Sequence, residues 1–364
     1  MTRKQWAALT LILLAGGLGG IVGSVVLVDP FEIYHQATAF IPPITNGTQI
    51  YSNAGIAKSY AYDSIVIGSS MTENFKPSQL DALFGGQFVK IPVNAGSPFN
   101  HKQMMDMAFS THDVRRVLYG IDIELMTYFY TAPKCEMPDY LYDDNLLNDV
   151  QYWFNQSVLA RYIPECLATL GRHSDTLRDD MYSWGDLYEY GKDAALRGFT
   201  ISGDEVSQVP LESDPQLSQQ TLLNVQYNLI PFIEAHPGTE FLFFFPPYSL
   251  ARWVDFYQSG MLHYHMNQKE AIVSALLPYE NVKIFDFQAQ TDWITALDNY
   301  IDISHYGPWI NEAMAQAICE NRLRITSVSQ AQENDAVIRR YVDFVRAQGA
   351  WPESFAALSE ERTP

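Results

Sequence analysis

Phe241 to Phe245 form an apolar run with no polar interruption, and such a run must be covered on both faces. Only a strand inside a sheet with helices on either side loses water from both faces at once. Shorter runs of the same kind recur along the chain. They are Ser64-Ile-Val-Ile-Gly68, Phe88-Val-Lys-Ile-Pro-Val93, Arg116-Val-Leu-Tyr-Gly-Ile-Asp-Ile123 and Val282-Lys-Ile-Phe-Asp-Phe287. Helical patterns separate them: one from Pro77 to Gly85-Gly86, one over His101 to Ser110, one over Leu217 to Ala235, and one over residues 266–278. Another follows the last run, over Trp309 to Asn321. Strands alternating with helices need right-handed crossovers, which make the sheet parallel and the fold class α/β.

The alternation stops near Thr127 and resumes near Pro215. Between them the chain is rich in Tyr, Trp, Asp and Leu, with only short helical stretches. An insertion at the carboxyl end of a strand lies on the side where open α/β sheets take their ligands, so this one is a candidate lid or substrate platform. Its aromatics, Trp153, Trp184 and Tyr188 among them, either stack on sugar rings or pack a small subdomain, and packing is the commoner use. After the last α/β unit, Ile338, Tyr341, Val342 and Val345 mark one face of an amphipathic helix.

The N-terminus carries a different signal. Arg3 and Lys4 precede an uncharged stretch from Trp6 to Val28, which Asp29-Pro30 closes. That stretch is long enough to cross a bilayer, and the basic residues before it put the N-terminus in the cytoplasm. It exceeds a signal-peptide apolar region, and no Ala-x-Ala cleavage site follows. The expected organisation is a cytoplasmic tail at 1–5, a transmembrane anchor at 6–28 and a spacer at 29–61. The α/β domain spans 62–325, its insertion lies at about 127–215, and a C-terminal helix and tail occupy 326–364.

A net charge of -19 excludes a nucleic-acid partner and any broad attraction to anionic headgroups. No Gly-x-Gly-x-x-Gly or Walker sequence occurs, so no nucleotide cofactor is expected. His263 and His265 do not share a helix face and lack a third ligand, so no metal is expected either. Cys135 and Cys166 fall in the same irregular region. An extracytoplasmic domain permits a bridge between them, but sequence does not bring their Cα atoms within range.

Two motifs carry chemistry. Gly68-Ser69-Ser70 ends the first strand abruptly, and a serine at such a turn can show its hydroxyl above the sheet edge beside backbone N–H donors. Taken alone, the serines need only turn the chain. Asp302-Ile303-Ser304-His305 lies in a loop after the fifth strand. A serine hydroxyl becomes a nucleophile when an imidazole takes its proton, and the imidazole needs an acid to fix its tautomer. Asp302 can curl back to His305 within one turn. His101 opens a helix beside the loop after strand two, where a solvated helix end is its expected place.

With these blocks in this order, the chain resembles the SGNH (GDSL-like) hydrolase superfamily. Gly68-Ser69-Ser70 matches that family's first block, with Ser69 replacing Asp and Ser70 aligned with the nucleophile. Asp302 and His305 match the last block and imply the rest of a catalytic triad. Gly96, in Asn94-Ala-Gly-Ser97, matches the glycine whose N–H enters the oxyanion hole, and Asn94 falls beside it. Gly120-Ile121-Asp122 aligns with the family's Gly-x-Asn, where Asp122 puts a carboxylate in place of a side-chain donor.

The resemblance, over residues 62–323 without the insertion, implies a flavodoxin-like three-layer sandwich around a parallel sheet of about five strands. The membrane-anchored branch it is most similar to includes the D-alanyl transfer proteins of teichoic-acid modification and the alginate-type O-acetyltransferase proteins. It implies a single-pass protein of the bacterial cytoplasmic membrane with its catalytic domain outside. The activity would be a serine esterase or O-acyltransferase that needs no cofactor. Its partners would be an acylated envelope polysaccharide or teichoic-acid-like polymer and a membrane-bound O-acyltransferase. Asp122 leaves open a second reading, a non-catalytic envelope protein of the same fold that binds such a polymer or enzyme.

Overall fold

The computed structural model describes residues 1–209 and 215–359. The last residues of the expected insertion, 210–214, and the end of the C-terminal tail, 360–364, lie outside the described residues. The fold is α/β and is built on one six-stranded sheet in the order β2-β1-β3-β4-β5-β6. The strands are β1 (Ser64–Ile67), β2 (Phe88–Lys90), β3 (Arg116–Gly120), β4 (Glu240–Phe245), β5 (Val282–Asp286) and β6 (Arg324–Ile325). The first five pair in parallel, with Ile67 beside Tyr119 and Gly120 beside Phe244, while β6 closes the edge antiparallel to β5. That sixth strand was not expected from the sequence. Two residues are too short for a hydrophobic period to register.

β4 sits between β3 and β5, and Phe241 to Phe245 are all buried. Helices α1 (Arg3–Val28), α2 (Gln49–Ser59), α3 (Pro77–Phe84) and α4 (Pro98–Thr111) belong to the N-terminal half. α4 begins at a capping box, in which the Ser97 side chain accepts from the Asn100 N–H and Pro98 occupies the first turn. α1 is long and apolar enough to cross a membrane.

Residues 29–61 are not a spacer. Phe31 and Ile33 are buried, and α2 lays Ser52, Asn53, Ala54, Gly55, Ile56 and Ala57 into the interior against α4. A Cβ on Gly55 would stand 1.9 Å from the Phe31 carbonyl oxygen, so the two segments touch backbone to backbone. Small and polar residues dominate the buried face of α2, and apolar periodicity does not detect such a face.

The insertion forms short helices at Val150–Trp153, Ile163–Ala168, Leu177–Asp180 and Lys192–Ala195. Lys90, 1% exposed at the end of β2, ties it down. Its ammonium donates to the carbonyls of Glu73 and Asp179 at 2.7 and 2.8 Å and to the Ser183 hydroxyl at 3.0 Å. Burial pushes the Lys90 pKa down to about 7. Cys135 and Cys166 are both free thiols, so the bridge that an outside location would permit is not formed. Asn100 instead holds the Cys135 backbone, accepting from its N–H at 3.1 Å and donating to its carbonyl at 2.7 Å.

Candidate active site

In the parallel part of the sheet the chain steps from β1 outward to β2 and then back across β1 to β3. Such a reversal opens a crevice beyond the carboxyl ends of β1 and β3. Ser70 follows β1 at this crevice and Asp122 follows β3. Gly68, between β1 and Ser70, has φ 150°, and a Cβ there would press on Thr72 at 2.7 Å and on the Gly120 carbonyl at 3.1 Å. Only glycine lets β1 turn away so close to β3. The turn continues as a short 3₁₀ segment, Ser70–Thr72, with Ser69 as its N-cap.

His305 arrives from the far end of the chain. A bridge between Tyr300 and Tyr306, and an Ile301 N–H to His305 carbonyl bond of 3.0 Å, close its loop. Asp302 Oδ1 accepts from the backbone N–H groups of Ser304 and His305, each at 2.7 Å, so the carboxylate organises the loop that carries it. Asp302 Oδ2 meets His305 Nδ1 at 2.8 Å, and His305 Nε2 meets Ser70 Oγ at 2.9 Å. Ser70, His305 and Asp302 therefore stand in one hydrogen-bonded line. Trp184, from the insertion, packs edge-on against the imidazole with ring centres 5.6 Å apart and donates from its indole to the Ser70 carbonyl at 3.3 Å.

The electrostatics raise the basicity of the imidazole. Burial disfavours the His305 imidazolium, but the bonded Asp302 carboxylate outweighs it, helped by Asp122 and Glu73, and the net shift is upward. Burial also acts to raise Asp302, and the imidazole together with the two backbone N–H groups more than offsets it, leaving that carboxyl below its ordinary range.

Ser70 and His305 form the wall between two cavities. The larger, about 270 Å³, is bordered by Asn46, Asn94, Trp184, Tyr188, Ile301 and Asp302. The smaller, about 190 Å³, is bordered by Ala95, Asp122, Glu124, Leu125, Tyr248 and Ser304. Asp122 Oδ2 accepts from the Ser69 hydroxyl at 3.1 Å and Oδ1 from the Tyr248 hydroxyl at 2.5 Å. Burial and the neighbouring Glu124 charge push its pKa above the usual carboxylate value. Asp122 thus lies on the same rim as Ser70, although its oxygens point at hydroxyls.

The structure changes the roles expected of three residues. The Gly96 N–H donates to the Val93 carbonyl at 2.8 Å and holds a turn, so it is not aimed at Ser70. A Cβ at Gly96 would strike Val93 at 2.6 Å, which is the packing reason for a glycine there. Ala95, at φ 51°, takes the cavity position next to it. Asn94 borders the larger cavity, where its backbone N–H donates to Gln49 Oε1 at 2.6 Å and its side chain bonds the Glu73 carboxylate. His101 is not solvated and borders neither of these two cavities. It is buried, bonded through Nδ1 to the Tyr119 hydroxyl at 2.7 Å, and pushed down to about 3 by burial, hence neutral.

Sequence reasoning gave no role at this site to Tyr248, Glu73 or Asn46, and named Tyr188 only among the aromatics of the insertion. Tyr248 had a signal, because Pro246-Pro247 stops β4 at the same rim. Trp184 and Tyr188 had none beyond membership of an aromatic-rich insertion. Glu73 is buried under the cavity, accepts from Gln49 and Asn46 at 3.0 Å each, and is raised by burial. Comparison with protein-family models, with characterised proteins and with solved structures finds no match to this chain.

Proposed function

We propose that the chain is a membrane-anchored, extracytoplasmic serine esterase or O-acyltransferase of the SGNH type, acting on ester groups of a cell-envelope polymer. The observation that carries this reading is the hydrogen-bonded line Ser70–His305–Asp302 at the crevice where the strand order reverses. The order 2-1-3-4-5 of the parallel strands supports a flavodoxin-like arrangement. The apolar helix Arg3–Val28 behind Arg3 and Lys4 supports a single-pass anchor with the domain outside.

Ser70 Oγ attacks the ester carbonyl while His305 Nε2 takes its proton and Asp302 stabilises the imidazolium. The tetrahedral intermediate collapses, the ester C–O bond breaks, and the leaving alcohol receives the proton from His305. Water or a polymer hydroxyl then attacks the acyl-serine, gives its proton to His305, and frees Ser70. The backbone N–H groups of Ser70 and Ala95, which meet no acceptor among the described residues, are the donors left for the oxyanion. Cavities on either side of the Ser70–His305 pair provide separate places for an acyl group and for the alcohol that gives or receives it.

A second reading, a non-catalytic polymer-binding protein, draws on the carboxylate of Asp122 and the engaged Gly96 N–H. A fluorophosphonate probe separates the two. Labelling of the wild type that disappears in Ser70→Ala supports the enzyme, and no labelling of well-folded wild type removes it.

A further inference from the structure

Only part of α1 is free to meet lipid. Residues 3–20 are exposed apart from the half-buried Thr10, whereas from Ile21 the domain covers one side of the helix, burying Val25 fully and leaving Leu27 exposed. Counted from Trp6, after the charged tail, the exposed part measures about 22 Å at about 1.5 Å per residue, short of the roughly 30 Å hydrocarbon core of a bilayer. The outer leaflet therefore reaches past Gly20, into the part of the helix that the domain begins to grip. The gripping elements come from the insertion. Val25, Phe31 and Ile33 share one apolar cluster with Tyr152, Val158 and Ile163, and the helices Val150–Trp153 and Ile163–Ala168 both pack on α1. The junction is bonded as well as packed, since Asp29 accepts from the Tyr152 hydroxyl at 3.0 Å and Tyr34 donates to Asp149 at 2.7 Å.

Those same elements turn an apolar face outward. Leu147, Val150 and Phe154 are exposed at spacings of three and four residues, with Leu147 at 85%. Leu167 on the second helix and Leu170 in the turn after it are exposed as well, with Leu170 at 63%. Trp153, half-buried beside them, donates to the Tyr34 hydroxyl at 2.9 Å, and this aromatic pair is of the kind enriched at membrane–water boundaries. Leucines this exposed lose water only if something apolar covers them, and the helix they grip is the one that enters the bilayer.

We propose that the insertion is a membrane foot: Leu147, Val150, Phe154, Leu167 and Leu170 seat in the outer leaflet beside the anchor. The proposal rests on the anchor reading of α1. The net charge of -19 leaves apolar insertion rather than headgroup attraction as the driving force. With a helix and a foot in the same membrane, the domain is fixed in height and tilt rather than swinging on a tether. The same insertion supplies Trp184 to the Ser70–His305 pair, so the foot sets where the cleft stands above the lipid.

The test uses the full chain in phosphatidylcholine–phosphatidylglycerol vesicles, with a photo-crosslinking amino acid placed in turn at Leu14, Leu147, Leu170 and Leu222. Leu222 is exposed and apolar but belongs to another helix, Pro215–Asn224. Lipid adducts at Leu14, Leu147 and Leu170, several-fold above those at Leu222, are expected. Adducts at Leu14 without adducts at Leu147 and Leu170 overturn the foot and leave the anchor standing. Equal adducts at Leu222 also overturn it, because contact is then not specific to this face. Protein–protein adducts at Leu147 and Leu170 in place of lipid adducts give the face to a second copy. No lipid adduct at Leu14 removes the anchor reading, and the foot with it.

Discussion

The loop that carries Asp302 and the rim that carries Asp122 each bring one carboxylate to the neighbourhood of Ser70 and His305, and they hold it in opposite ways. Asp302 receives two backbone N–H bonds and a ring nitrogen, a donor set that favours the ionised form over the cost of burial. Asp122 is deeply buried and has Glu124 as a like-charged neighbour, and two neutral hydroxyls do not offset these, so it is raised. Proximity to the imidazole does not decide a carboxylate's role. Depth of burial set against the number and charge of the donors does, because donors that favour the anion must outweigh desolvation. The same contrast recurs between two buried lysines. Lys269 touches the carboxylates of Asp286 and Asp335 and is raised, whereas Lys90 touches neutral acceptors and falls to about 7.

On the proposed mechanism the contrast assigns Asp302 to the acid–base chain and leaves Asp122 a bystander that modulates it, and four measurements press on that division. The reference is Ser70→Ala, expected to lower turnover of an aryl ester on the order of 10⁶-fold, the scale on which a triad loses its nucleophile. Residual turnover within a factor of ten of wild type would show that neither carboxylate serves a triad. Asp302→Asn should cost about 10⁴-fold, because an amide leaves the imidazole free to adopt the wrong tautomer. A loss no larger than that of Asp122→Asn would erase the distinction.

Asp122→Asn should act mainly through His305. The imidazole must be neutral to take the serine proton, so activity rises with pH through its raised pKa. Removing the Asp122 charge removes one of the interactions that raise it, so the acid limb moves to lower pH by less than about one unit. A limb that does not move separates Asp122 from His305, and a shift to higher pH reverses the sign argued here.

The smallest effect concerns stability. Asp302 is depressed, so its contribution is present above the ordinary value of 3.8 and is lost as pH falls through the folded-state pKa. His305 is raised, so its contribution is present below 6.5 and is lost as pH rises through the folded-state pKa. Asp122 is raised for the opposite reason. Its ionised form is disfavoured in the folded state, so above the ordinary value of 3.8 the group opposes folding. Asp122→Asn should therefore raise Tm at pH 7.5 by about two degrees, whereas Asp302→Asn should lower it near pH 5 to 6. Calorimetry in which both variants move the same way would remove the contrast.

Much of the sheet and part of the site were legible because their signals are local. An unbroken Phe241–Phe245 run can only be interior, Gly68-Ser69-Ser70 can only end a strand, and Asp302 reaches His305 across three residues of one loop. Where the signal was weak or the partner remote, the reading failed. α2 hides a buried face made of serine, asparagine and glycine, so residues 29–61 resembled a spacer. The Gly96 amide is taken by Val93, a choice of turn that residue identity does not dictate. His101 is buried on Tyr119, which comes eighteen residues later.

What the chain determines by itself is therefore its periodicities, its breaks and the i to i+3 contacts within loops, since these depend on side-chain type and on backbone geometry over a few residues. Only the tertiary structure brings Ser70 to 2.9 Å from His305 across a separation of 235 residues. Only it sets Trp184 against the imidazole and leaves Leu147 and Leu170 uncovered on the elements that pack on α1. These follow from how the β1 and β3 ends, the insertion and α1 pack together. Packing is decided by the fit of whole surfaces and not by any segment read alone.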